Sequence, residues 1–146
     1  MRILALLVLV LFGAGCKHLS LERRPLEVQH PESVSSGGVR WQDLYLGEGP
    51  AAQTGDTVVF DYTIWLGDGA RVDSTFDRGV PLEVQLGKAP FEGLNQGLVG
   101  VRPGGRRRMR IPPELAYGSA GVPDLIPPDA LLDCEVHMLE VRPATH

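Results

Sequence analysis

The sequence predicts an α+β domain in which a curled antiparallel sheet wraps one short helix. Three observations carry that expectation. From Val39 onward, short β-rich runs are separated by turns dense in Gly and Pro. Only one stretch repeats its apolar residues at helical spacing. One long loop, residues 115–132 (LAYGSAGVPDLIPPDALL), is apolar and holds a single tyrosine. Loops lie on the surface and are normally polar, so an apolar one carrying a phenol reads as the wall of a pocket. Its prolines lack a donor and push the preceding residues to extended geometry, which excludes regular helix or strand.

Residues 39–46 (VRWQDLYL) form the first strand candidate, closed by Gly47-Glu48-Gly49-Pro50. Residues 57–66 (TVVFDYTIWL) are the strongest, because β-branched and aromatic residues dominate them. Val58, Phe60, Tyr62 and Ile64 share one face by the strand period of two. Gly67-Asp68-Gly69 makes a turn, Arg71 to Ser74 starts the next strand, and Asp77-Arg78-Gly79 reads as loop. Residues 82–86 (LEVQL) alternate with Leu82, Val84 and Leu86 inward.

The one helix candidate is residues 91–99 (FEGLNQGLV), with Phe91, Leu94 and Leu98 at helical spacing. It contains Gly93 and Gly97, each costing ~1 kcal/mol against Ala. A helix that tolerates two such residues is held by packing, with a sheet close against it. Residues 106–111 (RRRMRI) and 132–141 (LDCEVHMLEV) are the last strands. Arg106, Arg108 and Arg110 share a solvated face, with Glu83, Glu92, Glu114 and Glu135 expected to balance part of the charge. Met109 and Ile111 point to the core. Cys134 reads as a small buried hydrophobe, and His137 as a surface residue.

The 146 residues allow one domain with appendages. A formal charge of −4 argues against nucleic acid as a partner. No Cys/His spacing resembles a zinc site, so neither metal nor cofactor is expected. Residues 1–15 (MRILALLVLVLFGAG) have one Arg, a short apolar run and then small residues, the pattern of a signal peptide. The apolar run is shorter than the ~20 residues a bilayer span needs. Cys16 follows directly, and the stretch resembles the lipobox of bacterial lipoproteins, although Gly13 stands where Leu is usual. That resemblance implies lipidation of Cys16 and anchoring in a bacterial envelope; with Lys17 next, it implies the outer membrane facing the periplasm. Residues 16–36 read as a lipidated N-terminus and flexible tether, and 37–143 as the folded domain.

Several segments stand in an order that resembles the FKBP family, the tacrolimus-binding peptidyl-prolyl cis/trans isomerases. They are GDTVVFDYT, GDGARVDSTFDRG, VQLG, GLNQGLVGVRPGGRRRMRIPPELAYGSAG and VPDLIPPDALLDCEVHMLEV. The run from Ala116 to Pro128 is the most specific. The resemblance implies a five- to six-stranded antiparallel sheet curled around one short helix, with a shallow apolar pocket between them. It also implies a monomer that acts on proline-containing polypeptides.

An X-Pro bond takes roughly tens to hundreds of seconds to isomerise, because rotation breaks amide resonance. Reaching milliseconds requires about five orders of magnitude, or ~7 kcal/mol. No nucleophile is needed. The twisted imide is less charge-separated than the planar one, so an apolar pocket favours it, and a donor fitted to the rotated carbonyl adds differential binding. On the resemblance, Tyr117 is the phenol that donates to the substrate carbonyl, and Asp73 is the carboxylate at the pocket edge. Tyr62 is a wall residue, and Leu125 and Ile126 cover the prolyl ring. Phe91 matches the residue whose backbone N–H meets the ligand. Val72, Leu82, Leu94 and Cys134 stand where the family carries, or often carries, an aromatic ring, and Val84 is placed with them among the substrate-binding residues. The expected pocket is therefore wider and less aromatic than is usual in the family.

Overall fold

The computed structural model describes residues 30–145. Cys16 and the signal-peptide pattern lie outside that range.

Seven strands form one antiparallel sheet: β1 (Ser33–Val34), β2 (Arg40–Tyr45), β3 (Thr57–Leu66), β4 (Arg71–Ser74), β5 (Leu82–Gln85), β6 (Arg106–Ile111) and β7 (Leu132–Arg142). Their order is β1-β2-β6-β7-β3-β4, and β5 also pairs with β3. Six strands have four residues or more, in keeping with the expected count; β1 adds two residues at the edge. β3 is the spine. It pairs with β7 along its whole length, with β5 through Thr57 to Phe60 and with β4 through Thr63 to Trp65.

The β1 pairing corrects the tether boundary. Ser33 and Val34 lie opposite Trp41 and Arg40, so part of the segment read as a flexible linker belongs to the sheet. Ser35 adds a lock: its hydroxyl accepts from Val39 N–H at 3.0 Å and donates to Gln96 Oε1 at 2.7 Å.

Among the described residues there are two α-helices and one short 3-10 turn, Pro113–Leu115. α2 (Glu92–Leu98) is the expected one; α1 (Thr75–Arg78) replaces the predicted loop at Asp77–Gly79 with a single helical turn. Local chemistry explains α1. Ser74 caps its first turn by accepting from Phe76 N–H, and Gly79 ends it in the left-handed conformation at φ 67°. Thr75, fully buried, accepts from Tyr62 N–H at 3.0 Å and donates to Asp61 at 2.7 Å, which fastens α1 to β3.

The concave face of the sheet closes on α2. Val58, Phe60, Tyr62 and Ile64 from β3 meet Met109 and Ile111 from β6, with Leu132, Cys134, Val136 and Met138 from β7. Leu94 and Leu98 fill the centre from α2. The glycines of α2 mark the closest approach. A Cβ on Gly93 would lie 2.2 Å from Ile111 Cγ2, and one on Gly97 would lie 2.3 Å from Met109 Sδ. The sequence-level inference that a sheet presses on this helix is thus realised at both positions.

The arginine strand is split between two environments. Arg106, Arg108 and Arg110 face outward as expected, and of the anticipated partners Glu135 serves Arg106 and Arg108, while Asp133, not anticipated, serves Arg110. Glu83 instead pairs with Arg142, and Glu92 accepts from Asn95 and Gln96 on its own helix. Arg107 points the other way and is 4% exposed. It forks onto Asp43 at 2.6 and 3.0 Å and donates to the carbonyls of Gly97 and Val99 at 2.7 and 2.8 Å. Its guanidinium lies over Trp41, 5.1 Å from the ring centre. Arg107 therefore caps the C-terminal end of α2, which has no basic residue in its own last turn.

Candidate functional site

A cavity of about 380 Å³ opens between the sheet, α2 and the apolar loop. Nearly all the residues singled out from the sequence line it: Tyr62, Val72, Asp73, Leu82, Phe91, Leu94, Tyr117, Leu125 and Ile126. Ile64, Pro90 and Val122 complete the wall. Ile64 was legible as the next inward residue on β3 after Tyr62.

Two proposed lining residues are corrected. Cys134 is fully buried in the core and lies outside the cavity lining. It sits opposite Ile64 and Met109 in the sheet, and those side chains stand with it in the core. Burial pushes its thiol well above the ordinary value, so it is an inert hydrophobe. Val84 is half-buried, paired with Val58, and also outside the lining. It shares a face with Leu82 but stands two residues further along β5.

The polar groups at the edge are arranged asymmetrically. Tyr62 donates its hydroxyl proton to Asp73 Oδ2 at 2.5 Å and accepts from Arg78 Nη2 at 2.8 Å. Arg78 also forms an ion pair with Asp73, and Asp73 Oδ1 accepts from Ser74 N–H at 2.8 Å. Arg78 was missed from the sequence because its segment read as loop. The only available signal was the Ser74 and Gly79 capping pair, which predicts a turn of helix that lifts Arg78 to the rim.

Tyr117 differs. Among the described residues its hydroxyl has no hydrogen-bond partner, although the side chain is half-buried and its ring leans on Phe91 at 5.4 Å. The backbone N–H of Phe91, at the start of α2, likewise donates to no acceptor among the described residues. The cavity thus offers two free donors, a phenol and an amide, set in an apolar wall. Such a site can accept a compact apolar ring and hydrogen-bond the carbonyls on either side of it.

Burial raises Tyr117 above the ordinary phenol value, and the nearby Asp73 charge adds to the rise. Tyr62 is raised mainly by burial, then by its bond to Asp73. For Asp73, burial alone would raise the carboxyl; the bonds from Tyr62 and Arg78 outweigh it and hold the group below the usual carboxylate range. The folded-state value of Asp73 is depressed, so its stabilising contribution is present above the usual carboxylate range and is lost as pH falls through the folded value. The tyrosines are raised, so theirs is lost only as pH climbs past ~10. Ligand binding should therefore be flat from about pH 5 to pH 9. A titration by NMR or fluorescence checks this, and a bell-shaped profile centred in that range would contradict the assigned charge states.

Fold and cavity together define a prolyl-type pocket in a sheet-wrapped-helix domain. The chain belongs to the FKBP family: residues 49–139 match the family model described as FKBP-type peptidyl-prolyl cis-trans isomerase. It is 44% identical over 111 residues to the FKBP-type peptidyl-prolyl cis-trans isomerase FkpA of Escherichia coli K12. That match covers 76% of this chain and 40% of FkpA, so the chain spans well under half of that relative. It is 40% identical over 106 residues to the FK506-binding protein of Neisseria meningitidis serogroup B, covering 72% of this chain and 97% of that one. The crystal structure of E. coli FkpA superposes with a TM-score of 0.71 at 41% identity, covering 78% of this chain and 53% of the crystallised one. That of AtFKBP13 gives 0.68 at 34% identity, covering 76% and 98%.

Proposed function

We propose that this protein catalyses cis/trans rotation of X-Pro bonds in polypeptides and so assists protein folding. The observation that carries the reading is the free Tyr117 hydroxyl at the wall of an apolar cavity of about 380 Å³. A prolyl ring enters against Leu94, Phe91 and Ile126. The peptide carbonyls then find Tyr117 O–H and Phe91 N–H. Both donors are unspent beforehand, so neither has to leave an internal partner when substrate arrives.

Rate acceleration follows from differential binding. As the imide twists it loses charge separation, and an apolar wall penalises the planar state more than the twisted one. The two donors bind the carbonyls in the rotated geometry. Asp73 acts through Tyr62 and Arg78: the triad fixes the rim and keeps the Tyr62 phenol facing away from competing partners. No covalent step is required.

The reading is tested by NMR exchange on a peptide with one X-Pro bond. Wild-type protein should broaden the cis and trans lines at substoichiometric amounts; sharp, unmoved lines would sink the proposal. Tyr117→Phe removes one hydrogen bond, worth about 0.5–1.5 kcal/mol, and should lower kcat/KM by roughly two- to thirteen-fold without changing stability.

The N-terminal features extend the proposal to location. The short apolar run, the small residues before Cys16 and Lys17 after it support export, lipidation at Cys16 and residence on the outer membrane, facing the periplasm. Clients would then be exported polypeptides. Mass spectrometry of the mature N-terminus decides this: a lipidated Cys16 is expected, and a free thiol or another start would overturn the anchor.

A further inference from the structure

A second cavity, of about 420 Å³, lies against the same flap that covers the catalytic pocket. Its wall is Leu66 from the end of β3, Ala120, and the flap from Val122 to Pro128. Asp124 is the single charged residue among them. Val122, Leu125 and Ile126 line both cavities, so the two adjoin across the flap, where Leu125 is 49% exposed.

The flap presents both faces rigidly. Val122 and Ile126 exchange backbone hydrogen bonds of 2.8 Å in both directions, Leu125 N–H donates to Val122 O at 3.0 Å, and Gly121 N–H to Tyr117 O at 3.0 Å. Pro123, Pro127 and Pro128 have no amide donors to satisfy and fix their own φ. A wall built this way loses little conformational freedom when it is covered, which lowers the cost of binding.

We infer that this second cavity is a subsite for the same polypeptide substrate, taking one apolar side chain a few residues away from the isomerising proline. The inference rests on the isomerase reading of the first cavity. A substrate chain lying in the catalytic pocket must leave it, and this apolar cavity borders that pocket across the flap, sharing Val122, Leu125 and Ile126 with it. An extended chain advances ~3.3–3.6 Å per residue, so a segment of a few residues carries it past the flap. The chemistry of the wall selects an aliphatic or aromatic side chain. Asp124 at its rim disfavours an acidic neighbour on that segment. The subsite would bias turnover toward prolines that lie near apolar residues, which are the segments exposed in unfolded chains.

The test uses the full chain and three peptides. One is a tetrapeptide with a single Leu-Pro bond. The others extend it on both sides with Gly/Ser spacers ending in Phe or, as control, in Ser. Wild type should show a KM about ten-fold lower for the Phe peptide than for the Ser peptide, with kcat unchanged. That decade corresponds to burying about 55 Å² of apolar surface. Ala120→Glu, and independently Ala120→Lys, place a charge in the second cavity from an exposed position that the catalytic cavity does not use. Either should abolish the Phe advantage while tetrapeptide turnover stays at the wild-type level. Equal KM for the Phe and Ser peptides, with the tetrapeptide turned over, would overturn the subsite and leave the isomerase reading standing. If the tetrapeptide is not turned over, the isomerase reading fails; peptide affinities by calorimetry then decide the subsite on the same ten-fold criterion. A dimer dispersed by Ala120→Glu in sedimentation would assign the cavity to a second copy of the chain and overturn the inference.

Discussion

Arg107→Met is expected to lower the unfolding free energy by about 3–5 kcal/mol, because it breaks a buried ion pair from one side. The Arg107 side chain is 5% exposed and the Asp43 side chain 20%. Removing the guanidinium leaves the Asp43 carboxylate without its fork of two bonds. It also leaves the Gly97 and Val99 carbonyls at the end of α2 without their shared donor. Methionine replaces the stem and part of the contact with Trp41, so the loss reports the charge and its hydrogen bonds rather than a void. Arg107→Lys should recover only a minor part, because one ammonium cannot span Asp43 and two carbonyls at once. The double variant Arg107→Met with Asp43→Leu should recover more, since the stranded charge is then gone. Guanidinium or urea unfolding at constant slope measures all three. A loss below about 1 kcal/mol for Arg107→Met would show that water re-satisfies the site and that the fork is not a structural clamp.

Gly93→Ala sets two effects of opposite sign against each other. Alanine favours helix over glycine by ~1 kcal/mol. Against that, its methyl would stand 2.2 Å from Ile111 Cγ2 and 3.0 Å from the Leu115 carbonyl oxygen. Ile111 is fully buried and stiff at its branched carbon, and the carbonyl belongs to the backbone just before Tyr117. Neither can yield cheaply, so the overpacking cost falls at the upper end of about 1–3 kcal/mol. The net expectation is a loss of about 1–2 kcal/mol. The displacement should also reach the cavity, because Leu94 is the next residue and Phe91 starts the same helix; KM should rise. Gly97→Ala is the internal control. Its methyl meets Met109 Sδ at 2.3 Å, but a thioether end can swing, and the next contact is at 3.4 Å. It should be nearly neutral. Equal losses for the two variants would refute the distinction between a rigid and a yielding neighbour.

These two predictions differ in how far the sequence could see them. Gly93 and Gly97 in the only helix-period segment announce a close sheet, because nothing else offsets their cost. Arg107 announces nothing. It sits in a run of arginines where alternation alone puts it on the inward face, and an inward arginine is indistinguishable from an error until Asp43, sixty-four residues away, is found opposite it. The same limit applies to Asp133, whose pairing with Arg110 depends on β6 and β7 being neighbours in one register.

The site shows the same division. Tyr62, Asp73, Tyr117, Leu125 and Ile126 were legible through the resemblance to the FKBP family, whose motif residues they match; the alternating strand, the Gly-turn and the proline-bounded loop place them locally without giving their roles. The misassigned residues are those whose exposure to the cavity depends on where a strand crosses it. Val84 and Cys134 both lie outside the lining, Cys134 in the core. Arg78 was lost because a single helical turn has almost no periodicity to read.

By itself the sequence determined the sheet-and-helix class, the strand faces, the helix that must be packed, and an apolar proline-bounded loop holding one phenol. All of these follow from short-range periodicity, steric limits on proline and glycine, and local capping. The tertiary structure alone decided which donors are free, which charges are paired, and that the flap has two apolar faces instead of one. Those properties depend on contacts between segments distant in the chain, and no local pattern encodes the register that brings them together.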